Sequence, residues 1–291
     1  MAKVAILGVG KMGAAMAKEL AAANHEVILW NRTVEKAQSL ANSLTNTTVA
    51  NSVAEALKEA DIALCMLVSG VATEESLLSN PAVLQNANKS IVIVDMGTSG
   101  VDSAKRLGAA ISKAGLKFVD APVSGNISVI AAHQLLIMAS GSDADITKIE
   151  PVLMAFSKKV ARVGDVGAGQ VMKLAVNLVV HFLNAAVSEA LALATIAGVT
   201  PEKVYEVFEE SVIAAPYVKY KKASFLNSDS PVAMRIDTVV KDLGLIIALG
   251  NELGLELAGT QKVAELYKVA MVQGFAEKDM ADLYRFLKGT K

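Results

Sequence analysis

Lys173, Asn177, His181, Asn184 and Ser188 follow one another by four, four, three and four residues within GQVMKLAVNLVVHFLNAAVSEALALATIAG, residues 169–198. On a helix that spacing sets all five on one narrow stripe, against a background of Ala, Val and Leu. The stretch would run roughly 45 Å at 1.5 Å per residue. Its only charges are Lys173 and Glu189. A solvent face would carry several. An amine at the head of such a stripe can pass a proton to or from a reacting oxygen, or steady negative charge there. An apolar setting lowers its pKa and a bound carboxylate raises it again. The stretch reads as a buried spine whose polar stripe faces a site or a second subunit. A weakly amphipathic helix, with Lys173 snorkelling off its end, is the bland alternative.

A second constellation opens the chain. The apolar run Lys3–Leu7 leads into Gly8-Val9-Gly10-Lys11-Met12-Gly13 and then a helical run over 14–23. Strand, glycine turn and helix in that order form the dinucleotide fingerprint. Gly8 permits the tight turn, Gly10 lets backbone approach a pyrophosphate, and Gly13 lets helix pack on strand. Lys11 and Met12 are counted with these glycines as cofactor contacts. The second strand, Glu26–Trp30, ends in Asn31-Arg32-Thr33. An NAD-specific turn would place a carboxylate there for the ribose 2′-hydroxyl. Arg32 instead suits a 2′-phosphate, so NADP is favoured, although a surface Arg at a strand end would look the same. Ser69 and Thr98 follow later apolar runs, where ligands of open parallel sheets sit, and either would equally serve as a helix cap. Asp120-Ala121-Pro122-Val123-Ser124-Gly125 leaves a strand for a turn able to meet an anion. From chemistry alone an ordinary turn fits as well.

These residues need a scaffold, and the alternation of elements supplies one. Apolar runs at 62–68, 90–95, 117–119, 134–139 and 160–163 read as strands. Helices fall between them at 14–23, from a Ser52–Glu55 capping box to just before Asp61, at 102–113 and near 145–157. After Gly198 the pattern is helical: Thr200 as cap with Pro201 first, then 201–211, 216–226, 232–253, 260–273 and 279–288. The expected fold is α/β: an N-terminal Rossmann domain with a parallel-rich sheet, a long interdomain helix and an all-helical C-terminal domain. The domains are placed at 1–163 and 164–291, the second opening with the helix 167–198. With 291 residues, 53 % of them apolar, the chain can bury two cores. A net charge of −1 gives no reason to expect nucleic acid or an anionic membrane. The single Cys65 and a strand starting almost at Met1 lead to the expectation of a cytoplasmic protein without a signal peptide. Three scattered histidines offer no metal-ligand spacing. The basic run Lys219, Lys221, Lys222 reads as a solvated helix face, although it could also serve a larger anion.

Taken together, GVGKMGAAMA at 8–17, NRT at 31–33, DAPVSG at 120–125, GAGQVMKLAVN at 167–177, SEAL at 188–191 and KDLGL at 241–245 resemble the β-hydroxyacid dehydrogenase family. The family includes relatives of 3-hydroxyisobutyrate dehydrogenase and glyoxylate/succinic semialdehyde reductase. The resemblance spans nearly the whole chain. It implies Lys173 as the catalytic acid/base, Asn177 as a substrate contact, and Ser124 and Gly125 as the substrate-carboxylate loop. Thr98 and Lys241 match cofactor contacts. The implied protein is a homodimer or homotetramer that uses NADP(H) to interconvert a small aldehyde acid and its hydroxy acid. Four departures border the implied substrate pocket: Asn126 for a glycine, Val129 with Ala132-His133 for further glycines, Val176 for an asparagine, and Met234 for a phenylalanine seven residues before Lys241. They suggest a short acid with a polar or flexible far end. Imine reductases share the fold but usually replace the lysine, and a non-catalytic NADP-binding scaffold would be expected to lose the lysine or the serine. Both residues are here.

Overall fold

The computed structural model describes residues 1–289. Nine strands among them form one sheet: β1 (Lys3–Leu7), β2 (Glu26–Trp30), β3 (Thr47–Val49), β4 (Ile62–Cys65), β5 (Val92–Asp95), β6 (Lys117–Asp120), β7 (Val123–Ser124), β8 (Leu135–Gly141) and β9 (Ser157–Arg162). The first six run parallel in the order β3-β2-β1-β4-β5-β6. β8 joins antiparallel to β6, and β7 and β9 pair with β8. The strands alternate their apolar side chains between two cores. Val4, Ile6, Leu29, Leu64 and Val94 pack on one face, and Ala5, Leu7, Ile28, Cys65 and Ile93 on the other. Helices cover both, so these strands read as continuous apolar runs.

The sheet therefore has the expected doubly wound form, with local differences. β4 stops at Cys65 and β5 begins at Val92, because the ends of those apolar runs belong to turns. The helix Val34–Ala41 gave no apolar period, having only Ala37 buried, and the three-residue β3 is too short for one. The helices Gly70–Leu78, Ala82–Gln85 and Ile127–Ala131 were also not expected. Ser52 does cap Val53–Glu59, accepting from Glu55 N at 3.1 Å, but Glu55 reaches back to Asn51 N rather than to Ser52.

The chain divides into two compact units, Met1–Lys173 and Leu174–Lys291, inside the 29-residue helix Ala168–Ile196. That helix is long and apolar enough to cross a membrane by length and composition, yet its orientation inverts the usual pattern. Asn177, His181, Asn184 and Ser188 are buried, whereas Val179, Leu193 and Ile196 are more than half exposed. The polar stripe from Asn177 to Ser188 thus points into the second unit, where the reading of a buried spine has it facing a site or a second subunit, and part of the spine's apolar side is exposed. Asn177, Asn184 and Ser188 in the stripe are hydrogen-bonded, which makes their burial tolerable, whereas neither ring nitrogen of His181 makes a hydrogen bond among the described residues. Asn184 Nδ2 donates to Tyr267 Oη at 2.6 Å and Met280 O at 2.8 Å, while Tyr217 Oη donates to Asn184 Oδ1 at 2.6 Å.

The rest of the second unit is helical: Pro201–Glu210, Pro216–Leu226, Ile236–Glu252, Ala258–Ala270 and Leu283–Gly289. Thr200 stands at the cap position without a side-chain cap bond, so Pro201 alone marks that start. The expected helix 232–253 begins only at Ile236, because Arg235 is extended and bridges Asp279. After Ala258–Ala270 the backbone kinks within Met271–Phe275, where Gln273 and Gly274, the latter at φ +93°, are not helical. Lys221 corrects the reading of the basic run as a solvated face. It is buried, and its ammonium is paired with Asp279.

Candidate active site

In the first unit the glycine turn has the geometry its sequence predicts. Gly8 sits at φ +102°, and a Cβ there would lie 2.6 Å from Met66 O. At Gly13 a Cβ would lie 2.0 Å from Gly8 O, so the helix Lys11–Ala22 can pack this closely only on glycine. A Cβ at Gly10 would meet nothing, which leaves the outer surface of the turn bare. No side chain caps the helix at Gly10. The turn is held from the next strand. Asn31 Oδ1 accepts from Val9 N at 3.2 Å, and Asn31 Nδ2 donates to Thr33 O at 2.9 Å. Asn31 therefore shapes the cradle through both ends of its amide. Arg32 and Thr33 are exposed beside it, as is Lys11 at the head of the helix, while Met12 is half-buried.

Ser69 is a helix cap, its Oγ accepting from Ala72 N at 3.2 Å. Asn126 is one too. Its Oδ1 accepts from Val129 N at 3.1 Å and from Ser128 Oγ at 2.7 Å, so that oxygen is spent on the helix Ile127–Ala131. Its Nδ2 keeps donor capacity for a ligand. Gly125, at φ +140°, could not carry a Cβ without meeting Val129 Cγ1 at 2.7 Å and Leu135 Cδ1 at 2.8 Å. Ser124, half-buried, lies in β7 opposite Leu136.

What ties these segments together is a residue to which sequence reasoning gave no role. Gln170, wholly buried in the first turn of the long helix, makes four hydrogen bonds with its side-chain amide. Oε1 accepts from Ser99 N at 2.9 Å and Gly100 N at 3.1 Å. Nε2 donates to Gly97 O at 3.1 Å and to Asp120 Oδ1 at 2.8 Å. Asp120 Oδ2 accepts in turn from Gln170 N at 3.1 Å and Ser140 Oγ at 2.9 Å, and Ser140 Oγ accepts from Gly169 N at 3.0 Å. Burial pushes the Asp120 carboxyl above its ordinary range, while Gln170 and Ser140 pull it back. The loop bearing half-buried Thr98, the strand end leading to Ser124 and the helix turn preceding Lys173 are thereby locked to one another. Gln170 left a faint signal, as the one polar side chain in the first turn of an apolar helix.

In the second unit Asn177, nearly buried, donates through Nδ2 to Asp242 Oδ2 at 2.7 Å. Lys241 Nζ lies 3.1 Å from Asp242 Oδ1. His181 Nε2 stands 3.8 Å from Oδ2 of the same carboxylate. Asp242, within the KDLGL motif, is what brings Asn177 and Lys241 together. Met234, half-buried, is fixed through its backbone: its N–H donates to Asp279 Oδ2 at 3.2 Å and its carbonyl accepts from Met280 N at 2.8 Å. Among the described residues no cluster of His, Cys, Asp or Glu could hold a metal ion.

Residues 3–164 match the model of the NAD-binding domain of 6-phosphogluconate dehydrogenase, and residues 167–287 that of the NAD-binding domain of NADP-dependent 3-hydroxyisobutyrate dehydrogenase. The chain belongs to the β-hydroxyacid dehydrogenase family. Within the family it is 29 % identical to glyoxylate/succinic semialdehyde reductase 1 of Arabidopsis thaliana, over 98 % of both chains. The cytokine-like nuclear factor N-PAC of Homo sapiens is 28 % identical over 97 % of this chain, which spans only 51 % of that protein. Among solved structures, the 3-hydroxyisobutyrate dehydrogenase of Mycobacterium tuberculosis with L-serine superposes with a TM-score of 0.88 at 27 % identity, covering 99 % of this chain and all of that one. A Myxococcus stipitatus imine reductase shares the fold at a TM-score of 0.66 and 20 % identity, over 98 % of this chain and all of that one. As a β-hydroxyacid dehydrogenase the chain is an oxidoreductase served by a nicotinamide cofactor, and its glycine turn fits one.

Replacing Gln170 by Leu should strand the Ser99 and Gly100 N–H groups and Asp120 in a buried setting. A loss of about 1–3 kcal/mol in unfolding free energy is expected. Urea titration of the variant against wild type measures it.

Proposed function

We propose that this β-hydroxyacid dehydrogenase is an NADPH-dependent reductase of small aldehyde acids, with Lys173 as its acid/base. The observation that carries the reading is the Gln170–Asp120 lock, which holds the Thr98 loop, the Ser124 strand end and the helix turn before Lys173 in one rigid arrangement. Rigid placement of reacting groups is worth several kcal/mol of barrier. Bound NADPH supplies the hydride for the carbonyl carbon. Ser124 and the backbone at Gly125 anchor the substrate carboxylate. The Lys173 ammonium gives its proton to the carbonyl oxygen and regains one from solvent, with the roles reversed in oxidation. Asn177, oriented by Asp242, keeps its Oδ1 and second amide hydrogen as further hydrogen-bonding capacity. The plant relative's name makes glyoxylate and succinic semialdehyde the first substrates to try.

The experiment is a panel of semialdehydes, 2-oxo acids and cyclic imines with NADPH and NADH, followed at 340 nm. Reduction of an imine but of neither aldehyde acid would overturn the proposal. Lys173→Ala is expected to lower kcat by about two to four orders of magnitude while NADPH still binds, which fluorescence titration checks. A variant near wild-type kcat returns Lys173 to a structural role.

Arg32 should make NADPH about ten- to a hundredfold better than NADH in kcat/KM, the scale of one charged contact of about 1.5–3 kcal/mol. Arg32→Ala should remove most of that preference, and an unchanged ratio would refute the assignment.

The exposed apolar side of the long helix supports a further element of the proposal, a homodimer or larger assembly. Val179, Leu193 and Ile196 would be covered by a second copy. Light scattering at micromolar concentration should give at least twice the chain mass of 30.4 kDa.

A further inference from the structure

The three lysines of the helix Pro216–Leu226 have different fates. Lys219 is exposed, and Lys222 pairs with Glu209 at 2.6 Å. Lys221 is 1 % exposed, and its ammonium meets Oδ1 of Asp279, itself 4 % exposed. Asp279 collects three backbone donors as well. Ala281 N reaches Oδ1 at 2.9 Å, and Ala233 N and Met234 N reach Oδ2 at 2.8 and 3.2 Å. Around them the stitching continues. Met280 N donates to Met234 O at 2.8 Å, Ile236 N to Lys278 O at 3.0 Å, and Asp237 N to Ala276 O at 3.0 Å.

A buried ion pair adds little net stability, because desolvating two charges offsets most of their attraction. What this pair does is geometric. One carboxylate, neutralised by one ammonium, fixes two consecutive N–H groups in the bend before Arg235, a segment tied otherwise only by a few backbone bonds and one isolated bridge. That segment carries Met234. We propose that Lys221 and Asp279 are a positioning pair that sets the Met234 wall of the substrate site and thereby selects the length of acid accepted. The proposal deepens the function above: it rests on that small aldehyde-acid substrate class and on the reading, implied by the family resemblance, of Met234 as a residue bordering the substrate.

The test uses the full-length protein and reads kcat and KM for glyoxylate and succinic semialdehyde, with the KM for NADPH, in wild type, Met234→Ala, Lys221→Met, Asp279→Asn and Lys221→Arg. Lys221→Met and Asp279→Asn are expected to move the ratio of kcat/KM for the two acids by about fivefold or more, the scale of a lost pocket contact. The shift should follow the direction of Met234→Ala and lie in KM, with the KM for NADPH unchanged. Lys221→Arg, which keeps the charge, should restore most of the wild-type ratio. If the charge-removing variants do not fold, Asp279→Glu keeps the charge, displaces the carboxylate by one methylene and should still move the ratio. Folded pair variants with the wild-type ratio, beside a Met234→Ala that changes it, would overturn the proposal. A Met234→Ala without effect would remove the reading of Met234 and the proposal with it. Failure of the wild-type chain to reduce either acid would instead sink the proposed substrate class on which both stand.

Discussion

A single side-chain amide holds the first unit's chemistry in register. Gln170 has two hydrogens and one oxygen to place in a site without water contact, and every one is used. Its partners are the backbone of a loop after β5 and the carboxylate that ends β6. Neither could be swapped for an apolar group without stranding the others, since an unmet buried donor costs more than a made bond returns. The network also places a carboxylate against the first N–H groups of the long helix, where the helix dipole favours negative charge. Gly169 allows the approach, because a Cβ there would sit 2.8 Å from Asp120 Oδ2.

The long helix shows how a polar stripe can be the inside of a protein. Burying Asn177, Asn184 and Ser188 is tolerable only because tyrosine hydroxyls, the Asp242 carboxylate and main-chain carbonyls meet them. The apolar residues left outside are the face that the proposed second copy would cover. Hydropathy averaged along the helix hides this inversion, since both faces contribute equally to the mean.

Much of the architecture could be read from the residues. Gly8, Gly13 and the β1 and β2 runs gave the nucleotide turn because steric need for glycine leaves an unmistakable spacing. Ala168–Ile196 and Pro216–Leu226 were legible from their period and from proline. The site was less so. Asn126 reads from sequence as a pocket residue, and its oxygen also caps a five-residue helix, a pattern that Asn followed three residues later by Val129 does not announce. Gln170, Asp242 and Lys221 were missed or misread for one reason. Each acts through a partner 50 to 73 positions away in the chain, and pairing over that distance leaves no local period. Residues 232–235, which are not helical, were drawn into a helix on the same account, since Asp279 holds 233–235 from far downstream.

Where the lock lies in the chain bears on how the protein can be made. The two family models meet between residues 164 and 167, which suggests a natural place to cut. Yet Gln170 lies beyond that point while its partners at 97–100 and 120 lie before it. A fragment ending at 164 would carry all nine strands and still leave a buried carboxylate and two N–H groups without their partner. During synthesis the same holds in time. The sheet can assemble as its strands emerge, but the loop at 97–100 and the end of β6 stay unlocked until the first turn of the long helix has been made.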